Sequence, residues 1–427
     1  MPKTVLKILL VLITCCSFVL LSGCGNVSPG TATSPPASTD NPPASGIPTS
    51  TPTTLAGTHS PACQNFPSVD LKAGSSPASN AVFYVSSQGG IQTSPRGSVL
   101  KRYDIADGQT STLLDYSGAP SVVLGGQISP DKRWLALVAK QDPDHPAALF
   151  LIASDGTHLL NIDCNAASSR PVWSPDGRQL AFASLTPGTA TSIRTVNLTT
   201  GAFNMVAQGS YQPLAWADNT HLLVSSSQGD PLSGIKTLSL IDTTQGTTQH
   251  PRTVATAPSI CASYTISSDG QHVYSSTCTL APIANCRSGY GFQGTGSINV
   301  QSSLSGNSTA LYKAANLGIL ALQPSGSSLL FYRYADIGDA GQSGVWLRHA
   351  DGSLHHLAGD KSQNCLNIES SSVMPALASN DSSYAFYNGE TTKSPLAITV
   401  GSLTDNSATT IATLNIGDGI LTLIGMA

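Results

Sequence analysis

A turn followed by a short apolar strand recurs along this chain and constrains its fold more than any other feature. The clearest copies are WSPDGRQLAFA at 173–183 and SPDKRWLAL at 129–137. Weaker copies stand at 76–84, 216–219, 267–273, 324–331 and 380–386. The copies follow one another at intervals of about 50 residues, so the chain is built from repeated units of one size.

Each unit continues with a second hairpin. Asp-Gly or a related pair divides two short apolar runs at 154–156, 199–201 and 350–352, and such pairs are strong hairpin signals. Together with the strand before each turn, every unit supplies four antiparallel strands. The sequence therefore predicts an all-β fold, a seven-bladed β-propeller of four-stranded antiparallel blades.

Closing the ring needs a further strand. The apolar run 419–426 follows a full seventh unit, and we expect it to pair into the first blade. The alternative is that residues 66–71, on the N-terminal side, supply the closing strand of the first blade.

The residues of the turn have separate roles. Proline presets φ at the first corner, aspartate bonds the backbone that follows it, and glycine takes a position where φ is often positive. Lys132, Asn219 and Asp381 stand near the place of that glycine. We expect looser turns at these three positions.

The SPDG copies resemble the repeat of TolB-type propellers, a WD-repeat-like family also found in the propellers of prolyl oligopeptidases. The resemblance covers about 66–427 and is clearest in the second and third units. It implies the propeller fold and binding of other proteins, and it carries no catalytic residue.

The first 24 residues have the layout of an export signal. Lys3 and Lys7 precede an apolar run at 8–21, which is short for a membrane-spanning helix. Ser22 and Gly23 before Cys24 resemble the lipobox of bacterial lipoproteins. The resemblance implies that 1–23 is removed and that Cys24 becomes a lipidated N-terminus. An ordinary cleaved signal with an incidental cysteine is the alternative.

The segment 24–60 is rich in Pro, Ser and Thr and has no hydrophobic periodicity, so we expect a disordered tether. The propeller then occupies 61–427. This organisation places the protein outside the cytoplasm, attached through Cys24 to the cell membrane or outer membrane.

Six cysteines remain beyond the anchor, and we expect disulfides that brace one face of the propeller. An even number of cysteines in an exported chain favours disulfides over metal ligation. The pairing Cys261–Cys278 is favoured, and Cys278–Cys286 is its rival. The six are Cys63, Cys164, Cys261, Cys278, Cys286 and Cys365.

The longest irregular segment is expected at 279–297. Tyr290 and Phe292 stand there on a glycine-rich stretch that formally matches GxGxxG. It follows no βαβ unit, so a nucleotide site is excluded by context. The two aromatic residues are a candidate contact surface, and packing within the loop is equally consistent with the sequence.

Composition narrows the function further. Charged residues make up 10% of the 427 residues and the net charge is -4, so the basic surface of a nucleic-acid binder is missing. We expect a binding module for a protein or glycan, without cofactor or metal. The alternative is a lyase-, glycosidase- or lactonase-like enzyme in the central channel, but the inner segments 122–128 and 171–173 supply almost no ionisable residues.

Overall fold

The structure is a computed structural model, and it describes most of the repeated region. Its described residues are 80–88, 96–118, 121–140, 146–167, 169–185, 191–229, 234–248, 250–258, 262–267, 269–282, 290–292, 294–302, 307–315, 318–325, 328–334, 344–359, 376–377, 382–388, 396–403, 407–415 and 418–427. The predicted signal peptide, Cys24, the tether and segment 66–71 lie outside these residues.

Antiparallel strands make up most of the described chain, with one 3-10 turn at Gly246–Thr248. No helix within these ranges is long and apolar enough to cross a bilayer. The strands are β1 (Ala81–Gln88), β2 (Arg96–Asp104), β3 (Thr110–Asp115), β4 (Val122–Ile128), β5 (Trp134–Lys140), β6 (Ala147–Ala153), β7 (Leu159–Ala166), β8 (Val172–Trp173), β9 (Gln179–Ser184), β10 (Ser192–Asn197), β11 (Phe203–Gln208), β12 (Tyr211–Trp216), β13 (His221–Gln228), β14 (Ile235–Asp242), β15 (Arg252–Pro258), β16 (Tyr264–Ile266), β17 (His272–Thr277), β18 (Leu280–Pro282), β19 (Tyr290–Phe292), β20 (Thr295–Ser302), β21 (Ser308–Ala315), β22 (Gly318–Ser325), β23 (Ser328–Tyr334), β24 (Gly344–Arg348), β25 (Leu354–Gly359), β26 (Ala376–Leu377), β27 (Ser383–Asn388), β28 (Leu396–Ser402), β29 (Ala408–Leu414) and β30 (Gly419–Met426).

These strands form a propeller, and the prediction of an all-β fold is confirmed. Five four-stranded sheets have the orders β3-β2-β1-β30, β12-β13-β14-β15, β16-β17-β20-β21, β22-β23-β24-β25 and β26-β27-β28-β29. The prediction of seven separate four-stranded blades was wrong, because β4 to β11 form one eight-stranded sheet. A single pair, Ala166 with Ser184, joins β7 to β9 and merges the second and third units.

The last strand closes the first sheet. β30 pairs with β1 in antiparallel register from Val82 opposite Met426 to Gln88 opposite Gly419, with one bulge. The prediction that 419–426 pairs into the first unit is confirmed. The closing strand thus joins the two ends of the repeated region by backbone hydrogen bonds.

The core is divided into layers between neighbouring sheets. In β5, Leu135 and Leu137 pack with Phe83 of the first sheet, whereas Ala136 and Val138 belong to the next layer, toward the third unit. Successive side chains of a strand point to opposite faces. Both faces are therefore buried, which explains why β5 reads as a continuous apolar run rather than an alternating one.

The repeated turns share one hydrogen-bond pattern. In the third unit, Ser174 donates its hydroxyl to Asp176 at 2.6 Å, Asp176 accepts the Arg178 amide at 3.0 Å, and Gln179 N donates to Ser174 Oγ at 2.9 Å. Equivalent bonds form at 129–134 and 267–272. The Ser and Asp of the repeat thereby satisfy the backbone of each turn.

The prediction of a looser turn at Lys132 was wrong. Lys132 adopts φ of 61°, close to the 68° of Gly177 and 71° of Gly270. Among the described residues, Lys132 is the single non-glycine residue with positive φ. The hydrogen bonds of Ser129 and Asp131 hold this turn. They keep Lys132 in a backbone conformation that normally favours glycine.

Candidate functional site at the inner strands

One edge strand of each four-strand unit lies toward a common centre. These strands contact one another in a closed ring, β30 beside β4, then β8, β12, β16, β22 and β26, which returns to β30. We call them the inner strands. Each of them is an edge strand of its sheet, so its inward backbone groups are bonded by water or by side chains rather than by another strand.

Arg170 supplies such bonds at the start of β8. Its Nε donates to the carbonyl of Gly126 in β4 at 2.8 Å, and its Nη2 donates to the carbonyl of Ile424 in β30 at 3.2 Å. Desolvation lowers the pKa of Arg170 to about 10. The guanidinium remains protonated at neutral pH and places a positive charge among the inner strands.

The surroundings of Arg170 combine close packing with open space. A side chain at Gly126 would meet the Ala136 carbonyl and Leu137, whereas nothing lies within 4 Å of a Cβ built at Gly125. Leu124 on the same strand is 37% exposed. β4 thus carries an exposed apolar side chain at Leu124 and open space at Gly125, the two residues before the carbonyl that Arg170 binds.

The inner segment that the sequence predicts for the third unit begins one residue after Arg170. The inner segment of the third unit was placed at 171–173 and judged almost without ionisable groups, but the structure puts Arg170 there as well. A pattern of apolar strand residues does not indicate that the residue before the strand turns inward. The Arg-Pro pair at 170–171 is the available sequence signal, and it is weak.

Tryptophans join neighbouring units close to this centre. Trp173 donates its indole N–H to the Gln127 carbonyl at 3.1 Å, and Trp216 donates to the Val172 carbonyl at 3.1 Å. Each indole therefore reaches from the end of one inner strand to the inner strand before it. Gln127 also accepts the Trp173 amide through Oε1 at 3.0 Å.

The fourth and fifth units are joined differently. Ile266 stands at the end of β16 where the previous units have tryptophan, and Tyr264 donates its hydroxyl to the Lys236 carbonyl at 3.1 Å. Burial raises the pKa of Tyr264 to about 12 and lowers that of Lys236. Gly270 lies directly against the Ala217 carbonyl, where a Cβ has no room.

The segment of the predicted contact residues contains regular structure. β18 and β19 form a two-stranded antiparallel sheet of their own, with Pro282 opposite Tyr290 and Leu280 opposite Phe292. This sheet, which we call the insertion hairpin, lies between β17 and β20. The expectation of a wholly irregular segment at 279–297 was wrong. The side chains of Tyr290 and Phe292 lie outside the described residues.

Two of the six predicted disulfide cysteines are described. Cys164 is near the end of β7 and Cys278 directly follows β17. Both are buried, and both are disulfide-bonded. Cys63, Cys261, Cys286 and Cys365 lie outside the described residues, so both the pairing and the predicted common face stay predictions.

The structure brings no predicted site residues together into a catalytic cluster within the described ranges. No group of three or more His, Cys, Asp or Glu side chains there is placed to hold a metal ion. The histidine nearest a carboxylate is His221, whose Nδ1 lies 2.8 Å from Asp218 Oδ2 in an exposed turn.

Comparisons with known proteins agree on the fold. No protein-family model matches the chain. It is 29% identical over 233 residues to a probable dipeptidyl-peptidase 5 of Aspergillus niger, in a match that covers 47% of this chain and 30% of that protein. The chain thus spans less than a third of the length of this curated relative.

Solved structures resemble the chain at low identity. The β-propeller domain of the trilobed protease of Pyrococcus furiosus matches with TM-score 0.53 and 9% identity, covering 82% of this chain and 97% of that one. A prolyl endopeptidase matches with TM-score 0.51 and 15% identity, covering 81% of this chain and 50% of that one. Oligogalacturonate lyase in complex with manganese matches with TM-score 0.50 and 13% identity, covering 79% of this chain and 96% of that one. These likenesses show a propeller fold. They support the TolB-type resemblance for the fold alone.

Proposed function

We propose that this chain is an exported, lipid-anchored propeller that binds a protein or glycan partner through the face carrying the insertion hairpin. The observation that carries this proposal is the hairpin itself. A connection between two strands of one sheet needs only a short turn, yet the link from β17 to β20 builds a second, separate sheet. Ordered additions of this kind on a rigid scaffold are common places for binding residues.

The ends of the hairpin lie close together, which makes it removable. A Cβ built at Gly294 would lie 3.4 Å from Thr279 Cβ, and Thr277 and Ser297 are paired in the sheet beneath. Deleting 280–293 and joining the ends with two glycines should therefore leave the propeller strands intact.

The test is capture of a partner from the extracytoplasmic fraction of the source cells by the full chain, with and without 280–293. We expect a specific partner that the deletion variant fails to retain. The deletion also removes Cys286, the rival partner of Cys278, so Cys286→Ser, which keeps the hairpin, is compared alongside and should retain the partner. Thr247→Ala, in an exposed turn between β14 and β15, is the matched control and should retain the partner. Equal capture by the deletion variant would contradict the proposal.

The anchor has its own experiment. Cys24→Ser should move the protein from the membrane fraction to the soluble fraction and abolish incorporation of labelled palmitate. Recovery of both forms in the soluble fraction with no incorporation of palmitate would favour an ordinary cleaved export signal.

A central-channel enzyme is the second candidate, and Arg170 is the observation that favours it. A cation among the inner strands fits an anionic sugar or a peptide carboxylate. Oligogalacturonate with manganese is a suitable first substrate because the lyase has a similar fold. Formation of unsaturated products that is lost in Arg170→Gln would replace the binding proposal with this one.

A further inference from the structure

The geometry points to Arg170 as a recognition group for a carboxylate that enters the centre of the propeller. This inference rests on the second candidate function proposed above, which it deepens by naming the ligand group, and it is independent of the insertion hairpin. It concerns the edge of the guanidinium that the inner strands leave unused.

The bonds of Arg170 occupy one edge of its guanidinium. Nε and Nη2 donate to the carbonyls of Gly126 and Ile424. Nη1 and the second N–H of Nη2 form the opposite edge, and neither bonds an acceptor in the part of the chain that the structure describes. Two parallel N–H groups on one edge match the two oxygens of a carboxylate.

Other arginines of the propeller show the contrast. Arg102 pairs with Asp104 at 3.2 Å, and Arg194 pairs with Asp163 at 2.6 Å. Arg170 has no carboxylate within ion-pair distance among the described residues. Arg170 is partly exposed, so an anion supplied from outside the chain can reach the unused edge of its guanidinium.

The two residues before the bonded Gly126 carbonyl leave room for the body of an acid. A Cβ at Gly125 would meet nothing within 4 Å, and Leu124 is exposed on the same strand. Gly126 and Ile424 fix the guanidinium from two strands, so little side-chain entropy is lost when a ligand binds. The ligand class is a monocarboxylate, either a peptide C-terminus or a sugar acid.

The experiment compares acids with their neutral counterparts on the full chain at pH 7. Acetyl-Ala-Ala-Phe is titrated as free acid and as C-terminal amide, and galacturonic acid is titrated beside galactose, each by calorimetry. We expect one acid to bind about tenfold to hundredfold more tightly than its neutral counterpart. The pair that shows the preference identifies the source of the carboxylate.

Three variants make the result decisive. Arg170→Gln should abolish the preference, and Arg178→Gln, on an exposed turn of the same unit, should keep it. Arg170→Lys keeps the charge and a carbonyl-binding donor but loses the planar pair of N–H groups, so it should weaken the preference several-fold even if the glutamine variant fails to fold.

Two outcomes would overturn the inference. One is the absence of any preference for either acid at millimolar concentration. The other is a preference that survives in Arg170→Gln, or in Arg170→Lys when the glutamine variant is unfolded; Arg170 is then only a tie between β4 and β30. Deleting 280–293 should leave acid binding unchanged, which separates this site from the partner face.

Discussion

The junction between the third and fourth units and the junction between the fourth and fifth are built from the same repeat by different means. At the first, Trp216 reaches across and donates its indole N–H to Val172. Asn219 adds bonds to Asp176 and Gln179 at 3.1 and 3.0 Å. At the second, Ile266 has no donor, and the units meet where Gly270 lies against the Ala217 carbonyl. One junction depends on an indole that bridges the two units. The other combines the Tyr264 hydroxyl bond with a close backbone approach that only glycine allows.

The largest effect is expected at the glycine junction. Gly270→Ala should lower the free energy of unfolding by about 3 kcal/mol, because the new Cβ overlaps the Ala217 backbone and φ is positive. Gly246→Ala is the control, since it has a similar φ of 68° but open space around it. It should lose about 1 kcal/mol. Urea unfolding measures both, and equal losses would show that the close approach is unimportant.

The tryptophan junction should be less sensitive. Trp216→Phe keeps most of the ring but leaves the Val172 carbonyl without its donor, so we expect a loss of about 1–2 kcal/mol in urea unfolding. Trp173→Phe should behave alike because its indole makes the equivalent bond. Should Trp216→Phe prove neutral, the indole would contribute through packing alone.

A gain in stability is expected when Lys132 is replaced by glycine. Lys132 holds a positive φ, so Lys132→Gly should raise the free energy of unfolding by up to about 1 kcal/mol. Lys101→Gly, in the middle of β2, is the opposite control and should destabilise. A loss in both variants would indicate that the Lys132 side chain makes a stabilising contact.

The smallest effect concerns acid stability at the fifth unit. The Ser267 hydroxyl bond holds the pKa of Asp269 below its usual 3.8. A pKa lowered by folding adds stability above the unfolded value of about 3.9, and this stability is lost as the pH falls through the folded value. Asp269→Asn should therefore show a flatter decline of melting temperature below pH 4. Ser267→Ala should shift that decline to higher pH, and an unchanged decline in both would exclude this carboxylate as a contributor.

Local chemistry explains which features the sequence could predict. The Ser-Asp turns, the paired hairpins and the closing strand were predictable because each is encoded within a few consecutive residues, such as 174–179 and 419–426. The merged sheet was not, because the pairing of Ala166 with Ser184 depends on how two units approach in space. The insertion hairpin was missed because its strands are three residues each.

The candidate site was the least predictable part. Arg170 bonds carbonyls that are 44 and 254 residues away in the chain, and both acceptors are backbone atoms with no residue-specific signature. Locally, only the weak Arg-Pro signal at 170–171 distinguishes Arg170 from Arg178 on an exposed turn. Only the closed ring of inner strands brings its acceptors together.

Closure by β30 also orders events during biosynthesis. The outer edge of β1 gains its partner β30 only after the last repeat has been synthesised, so the nascent chain carries an unpaired strand edge until then. Pairings across such long sequence separations form slowly, and open edges promote aggregation. The eight-residue strand β30 therefore covers an aggregation-prone edge only late in folding.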